Sequence, residues 1–266
     1  AVLLKFGPYG FLRFAMPVFP AAVYELSTFF IVLALIGIIY GGMVAMVQPQ
    51  IKRLIAYSSV AHMGYIVLGL FALNSQGLYG SWIQMINHAI VTGALFLVVG
   101  MIYERTHTQD ISDYGGVAHT MPKFAVFLIF FSMASVGLPG LNGFVGEVLT
   151  MIGAARVNIW YGIIAAFGVL IAAIYMLWMV QRVVFGPLTK DLIKGLNDFT
   201  LREVIVLLPL VFWTIFLGVY PKPFFERIEV SVNHYIQLIK SQEPRFVKDE
   251  ADNPGLTKFL VWNLEE

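Results

Sequence analysis

Ser135-Val136-Gly137-Leu138-Pro139-Gly140-Leu141-Asn142-Gly143-Phe144-Val145-Gly146-Glu147 sets four glycines at intervals of three, one proline and one carboxylate in an apolar run. No Asp, Glu, Lys or Arg lies between Lys123 and Glu147. Pro139 removes a backbone donor, and glycine is a poor helix former. The stretch therefore predicts a membrane helix broken near 137–147, with Gly137, Pro139, Gly140, Gly143 and Gly146 at the break. Backbone groups freed inside a bilayer must be buried in protein or line a wet cavity. A broken helix bearing a charge at mid-depth is the pattern of a transport site. A plain proline kink is the competing reading.

The surrounding composition agrees with a membrane setting. Apolar residues make up 59% of the 266 and charged residues 12%, against roughly 25% charge in a soluble domain. Of the 33 charged side chains, 14 fall in residues 221–266, so the first 220 residues cannot build a water-facing surface. Charge-free intervals run from Glu25 to Lys52, Arg53 to Glu104, Lys123 to Glu147, Arg156 to Arg182 and Glu203 to Lys222. They predict an all-α, polytopic transmembrane bundle of about seven helices: 1–16, 27–47, 53–73, 80–103, 123–152, 158–184 and 203–220. Asn74-Ser75-Gln76-Gly77 supplies the turn that divides the longest interval. Transmembrane strands would alternate over about 10 residues, and these runs are apolar on all sides.

One set of loops holds Lys52, Arg53, Arg105, Lys123, Arg182, Lys190, Lys194 and Arg202, and the other only Arg156, with Arg13 near a helix end. The first set is expected on the cytoplasmic, matrix or stromal side. Residues 1–220 form the expected bundle and 221–240 an amphipathic helix. That helix carries Phe224, Phe225, Ile228, Val232, Tyr235, Ile236 and Ile239 on one face. It lies either on a membrane or partner, or on the bundle itself. Residues 241–266 read as a polar, flexible tail. A net charge of +1 offers no field for nucleic acid. The absence of cysteine excludes disulfides, thiolate metal sites and iron–sulfur ligation on this chain. The sequence does not open with Met and reads as part of a longer protein.

Ionisable groups inside membrane helices are costly and are functional candidates by default. At about 1.5 Å per residue, Lys5, His62, His88 and Glu147 each lie roughly 12–18 Å from a helix end. In a core about 30 Å thick that puts all four near the midplane, on four different helices. Such a row suits lateral proton transfer, and histidine suits relaying because its ordinary pKa is near neutral. Structural readings stand beside this one: a snorkelling lysine, neutral histidines bonded to carbonyls, a protonated interior carboxyl. No phosphate loop or dinucleotide fingerprint is present.

Three segments carry a resemblance: Val2-Leu3-Leu4-Lys5-Phe6-Gly7-Pro8-Tyr9-Gly10-Phe11-Leu12-Arg13-Phe14, the run from Ile51 to Gly64, and Gly137 to Glu147. Together with Tyr103 to Gly116, they resemble the antiporter-like, proton-pumping membrane subunits of respiratory complex I. Among these they are nearest the chain M/mitochondrial subunit 4 family, over about residues 1–225. The resemblance implies a fourteen-helix protein with two inverted five-helix repeats, of which this chain holds helices eight to fourteen. It implies that Lys5 joins two half-channels, that His62 and His88 lie along the polar axis, and that Glu147 is the terminal proton carrier. It implies proton translocation driven by quinone reduction elsewhere, with water filling gaps between helices. No cofactor is expected on this chain; NADH, flavin, iron–sulfur clusters and quinone would sit on partner subunits. The implied partners are other complex I membrane subunits, lipid, protons and water. The implied location is a bacterial inner membrane, or the mitochondrial inner or thylakoid membrane. A cation/proton antiporter subunit, a membrane-bound hydrogenase subunit of the same superfamily, and a purely structural membrane subunit remain as alternatives.

Overall fold

The computed structural model of the protein describes residues 2–188 and 191–241. Eight helices carry the architecture: α1 (Ser27–Met46), α2 (Ile51–Phe71), α3 (Ser75–Thr106), α4 (Pro122–Val136), α5 (Asn142–Val157), α6 (Ile159–Val184), α7 (Leu201–Val219) and α8 (Lys222–Ser241). The all-α membrane bundle expected from the sequence is what forms. Five of these helices, α1, α2, α3, α6 and α7, are long and apolar enough to cross a membrane.

Two expected spans are assembled from shorter pieces. The 123–152 segment is α4 and α5, separated by residues 137–141. The 1–16 segment is a run of helical turns, Leu3–Lys5, Phe6–Gly10, Phe11–Ala15 and Met16–Val18, with wide π-type turns at Phe11–Ala15. Gly7, Pro8 and Gly10 there weaken regular α-helix. Phe11 holds the segment to the bundle by edge contacts with Phe30 and Phe71, whose own rings stack at 4.3 Å.

Local chemistry sets the helix ends. The Asn74 side chain accepts from Gly77 N–H at 2.9 Å and starts α3, while its amide donates to Gly153 O at 2.8 Å and ties that end to α5. Thr200 and Glu203 form a reciprocal capping box at α7. Close packing of α3 with α5 needs Gly80, where an added Cβ would lie 2.5 Å from Thr150 N.

The basic loops gather at one end of the bundle. Ile51 N–H donates to Gln109 O, Gly116 N–H to Phe185 O, and Lys123 N–H to the Asp198 carboxylate. Arg105, at the end of α3, makes a two-pronged pair with Glu203 at 2.7 Å in each arm and donates to Asn197 O and Met101 O. Removing the guanidinium leaves several acceptors unpaired. Arg105→Ala is expected to cost about 2 kcal/mol. Arg105→Lys should recover only part, because an ammonium cannot make the fork. Thermal melting of the detergent-solubilised protein measures both; equal melting of wild type and Arg105→Ala would remove this pair from the list of stabilising contacts.

The amphipathic segment forms as α8, and of its two sequence readings the packing selects the bundle. Ile228, Val232 and Ile239 are buried in the core shared with Met16, Ile31 and Phe71. Phe225 meets Tyr79 edge-on, and the Tyr235 hydroxyl donates to Leu12 O. Its outer face stays open, with Val230 80% exposed. Tyr79 lies in the first turns of α3, so α8 covers the end of the bundle opposite the basic loops. The expected tail falls beyond Ser241, outside the described residues.

Candidate functional site

The break between α4 and α5 is built from two turns. Gly137 closes α4 with φ +82. Its N–H donates to Ala134 O at 3.3 Å, and Leu138 N–H donates to Met133 O at 3.1 Å. That pair of bonds is the glycine-terminated Schellman ending. Leu138-Pro139-Gly140-Leu141 then turns, with Leu141 N–H donating to Leu138 O at 3.0 Å and Gly140 at φ +90. Proline followed by a positive-φ glycine is the signature of a type II turn. The break is narrower than the sequence indicates. Gly143 and Gly146 lie inside regular α5, and their role is close approach: a methyl at Gly143 would overlap Ala134 O, and one at Gly146 would overlap the Gln84 side chain.

This geometry brings the carboxylate of Glu147 back over the break. Glu147 is 3% exposed, and its Oε2 sits where a Gly137 side chain would project. Its Oε1 lies 3.0 Å from His62 Nδ1 on α2 and accepts from Gln84 Nε2 on α3 at 3.2 Å. His62 Nε2 lies 3.2 Å from Ser135 Oγ, on the last turn of α4. With Glu147 ionised, the Nδ1–H tautomer of His62 satisfies both contacts, donating to the carboxylate and accepting from the serine hydroxyl.

His88 lies beside this pair. Its ring centroid is 5.3 Å from that of His62, with the planes tilted by 51°. Its Nδ1 is in hydrogen-bond contact with Lys5 Nζ. An ammonium can only donate, so this contact leaves the proton of neutral His88 on Nε2. That Nε2 is buried without a protein partner, as are Gln84 Oε1 and Asn87 Oδ1. All three residues line a small cavity of about 10 Å³, together with His62, Ser135 and Glu147. A cavity of that size holds about one water.

All four ionisable residues singled out in the sequence thus meet in one row: Lys5, His88, His62, Glu147. Contrary to the expectation of water-filled gaps throughout, the outer two steps are direct side-chain contacts. The middle step borders the cavity. Sequence reasoning missed Gln84, which holds the carboxylate, and Asn87, whose Nδ2 donates to Asn142 O at 2.6 Å and ties α3 to the start of α5. The signal was present: Gln84, Asn87 and His88 recur at helical spacing and share one face of α3. Among the described residues no group of His, Cys, Asp and Glu has the arrangement of a metal site.

Residues 1–174 match the family model described as NADH:quinone oxidoreductase/Mrp antiporter, transmembrane. The chain is 50% identical over 237 residues to NADH-quinone oxidoreductase subunit M of Rhodobacter capsulatus, covering 89% of this chain and 46% of that protein. It is 42% identical over 236 residues to NADH-ubiquinone oxidoreductase chain 4 of Marchantia polymorpha, covering 89% and 48%. Its fold superposes with a TM-score of 0.84 on a chain in the structure of respiratory complex I from Thermus thermophilus with bound NADH, at 32% identity. That match covers 90% of this chain and 50% of the other. The chain spans about half the length of the relatives it matches.

Proposed function

Because this integral membrane protein belongs to the NADH:quinone oxidoreductase/Mrp antiporter family, we propose that it carries the second half of a proton path in a complex I membrane subunit. In this reading, protons move along Lys5, His88, His62 and Glu147, and quinone reduction in other subunits drives them. The observation that supports it is the row of titratable groups, with Lys5 in contact with His88, the His88 and His62 rings 5.3 Å apart beside the cavity, and His62 3.0 Å from Glu147.

The row has the chemistry of a relay. Protonated Lys5 donates to His88 Nδ1. A proton arriving there makes both histidine nitrogens donors and frees the Nε2 proton for the cavity side. A proton taken up at His62 Nε2 lets Nδ1 hand its own proton to Glu147 Oε1, leaving His62 neutral. A carboxylate facing a cation holds its proton less tightly, and loss of that cation reverses the effect. Movement of charge at Lys5 is the step through which a distant reaction couples to proton transfer along the row. Oxidation and reduction take place on other chains, and this chain supplies binding and transfer of protons.

Lys5→Met tests the reading in the full-length protein within its assembled complex. Inverted membrane vesicles are given NADH, and proton uptake is scaled to the amount of assembled complex. Uptake should fall by about a hundredfold, the lower range for loss of a positioned proton-transfer group. Unchanged uptake would remove Lys5 from the path. Sodium-dependent exchange that needs no NADH would replace the complex I reading with an antiporter.

A further inference from the structure

A second cavity, of about 530 Å³, opens at the basic end of α6 and is lined by Tyr114, Trp178, Gln181, Arg182 and Phe185, among others. Its rim is fixed by the Gly116 N–H bond to Phe185 O at 3.0 Å, which joins the two basic-side loops. The Arg182 guanidinium carbon lies 3.7 Å from the centre of the Trp178 ring. Stacking on indole fixes the plane of the cation and leaves its N–H edges open. Among the described residues Arg182 has no ion pair and no hydrogen bond to a protein acceptor.

Below this cation runs an apolar strip. Ile163, Phe167, Leu170, Ile174 and Leu177 are all exposed and recur every three or four residues along one face of α6. Gln181 continues that face. From Leu170 to Gln181 the helix rises about 16 Å at 1.5 Å per residue, close to half of a hydrocarbon core about 30 Å thick. One leaflet's depth of apolar surface therefore ends at a planar cation, without an ion pair among the described residues, on the side where basic loops gather.

We propose that this cavity is a binding site for an anionic glycerophospholipid of the basic-side leaflet. The phosphate takes the guanidinium edge in a two-pronged bond, Gln181 adds a donor, and an acyl chain lies along Leu177, Ile174 and Leu170. Charge selects the occupant. A zwitterionic headgroup brings its own cation to the guanidinium, whereas a headgroup of net negative charge does not. Basic pockets between membrane helices on this side are the sites where anionic headgroups bind.

The test uses the intact complex containing the full-length subunit, extracted in detergent and washed of loosely held lipid. Phosphatidylglycerol, phosphatidylcholine or inorganic phosphate is added to wild type, Arg182→Gln and Arg182→Lys. Arg53→Gln, another exposed basic-side charge, serves as the control. Ligands that bind only the folded state raise the melting temperature. Phosphatidylglycerol should raise it by several degrees in wild type and Arg53→Gln, by less in Arg182→Lys, and not in Arg182→Gln. Lipid counted by mass spectrometry should fall by about one anionic molecule per complex in Arg182→Gln. Three results would overturn the proposal: an equal shift in Arg182→Gln, an equal shift with phosphatidylcholine, or an equal shift with phosphate alone. Loss of a neighbouring subunit from both Arg182 variants would make this face a protein interface and would overturn it as well.

Discussion

Glu147→Gln is expected to leave the complex assembled but to lower NADH-driven proton uptake per complex by about a hundredfold, the lower range for loss of a general acid–base group. Glutamine matches the carboxyl in shape. Its oxygen still accepts from His62 Nδ1–H and Gln84 Nε2–H, so the buried partners keep their bonds. What is lost is the capacity to bind and release a proton. Glu147→Ala would confuse two effects, since an unpaired buried donor costs about 1–3 kcal/mol by itself. The measurement is proton uptake in inverted vesicles, scaled to assembled complex, beside quinone-linked NADH oxidation. Normal uptake with Glu147→Gln would make Glu147 structural and end the relay as drawn. The companion variant His62→Gln keeps some hydrogen bonding but cannot become a cation, and it should show the same split between assembly and transport.

The second large effect is on stability. Gly143→Ala is expected to destabilise the protein by about 3 kcal/mol, the upper end of overpacking costs. The added methyl would overlap Ala134 O, a backbone atom on the far side of the break. No side chain can swing away to relieve it. Relief requires α4 and α5 to separate at the turn that carries Ser135 and Gly137, so Glu147 would move off His62 as well. Gly93→Ala is the matched control, because its Cβ meets nothing within 4 Å and it lies inside α3. There, alanine should be neutral or gain up to about 1 kcal/mol. Thermal melting and the yield of assembled complex measure both variants. Equal melting of Gly143→Ala and wild type would show that the break yields more freely than its packing indicates.

The break itself was legible in outline. Pro139 and the positive-φ glycines Gly137 and Gly140 announce turns by residue type. Gly143 and Gly146 carry the same letter for a different reason: they let α5 press against Ala134 and Gln84, and only a neighbour's position separates the two uses. The same limit hid Gln84. A glutamine in an apolar helix is visible in the sequence, but its bond to Glu147 depends on the rotation of α3 against α5. Gly80, packed on Thr150, helps set that rotation. The apolar face of α8 was equally plain, while its destination, the core beside Phe71 and Tyr79 rather than a membrane surface, was not.

Depth along a helix follows from residue number and a constant rise, so sequence alone placed Lys5, His62, His88 and Glu147 at one level. Class and the candidate groups followed from charge and hydropathy, which are properties of each residue. Which group touches which is a property of pairs. It depends on helix azimuth and separation, and these are decided by packing between residues 63 to 85 positions apart. The order Lys5, His88, His62, Glu147 therefore belongs to the tertiary structure. The place of His62, between His88 and Glu147, is what residue numbers do not give.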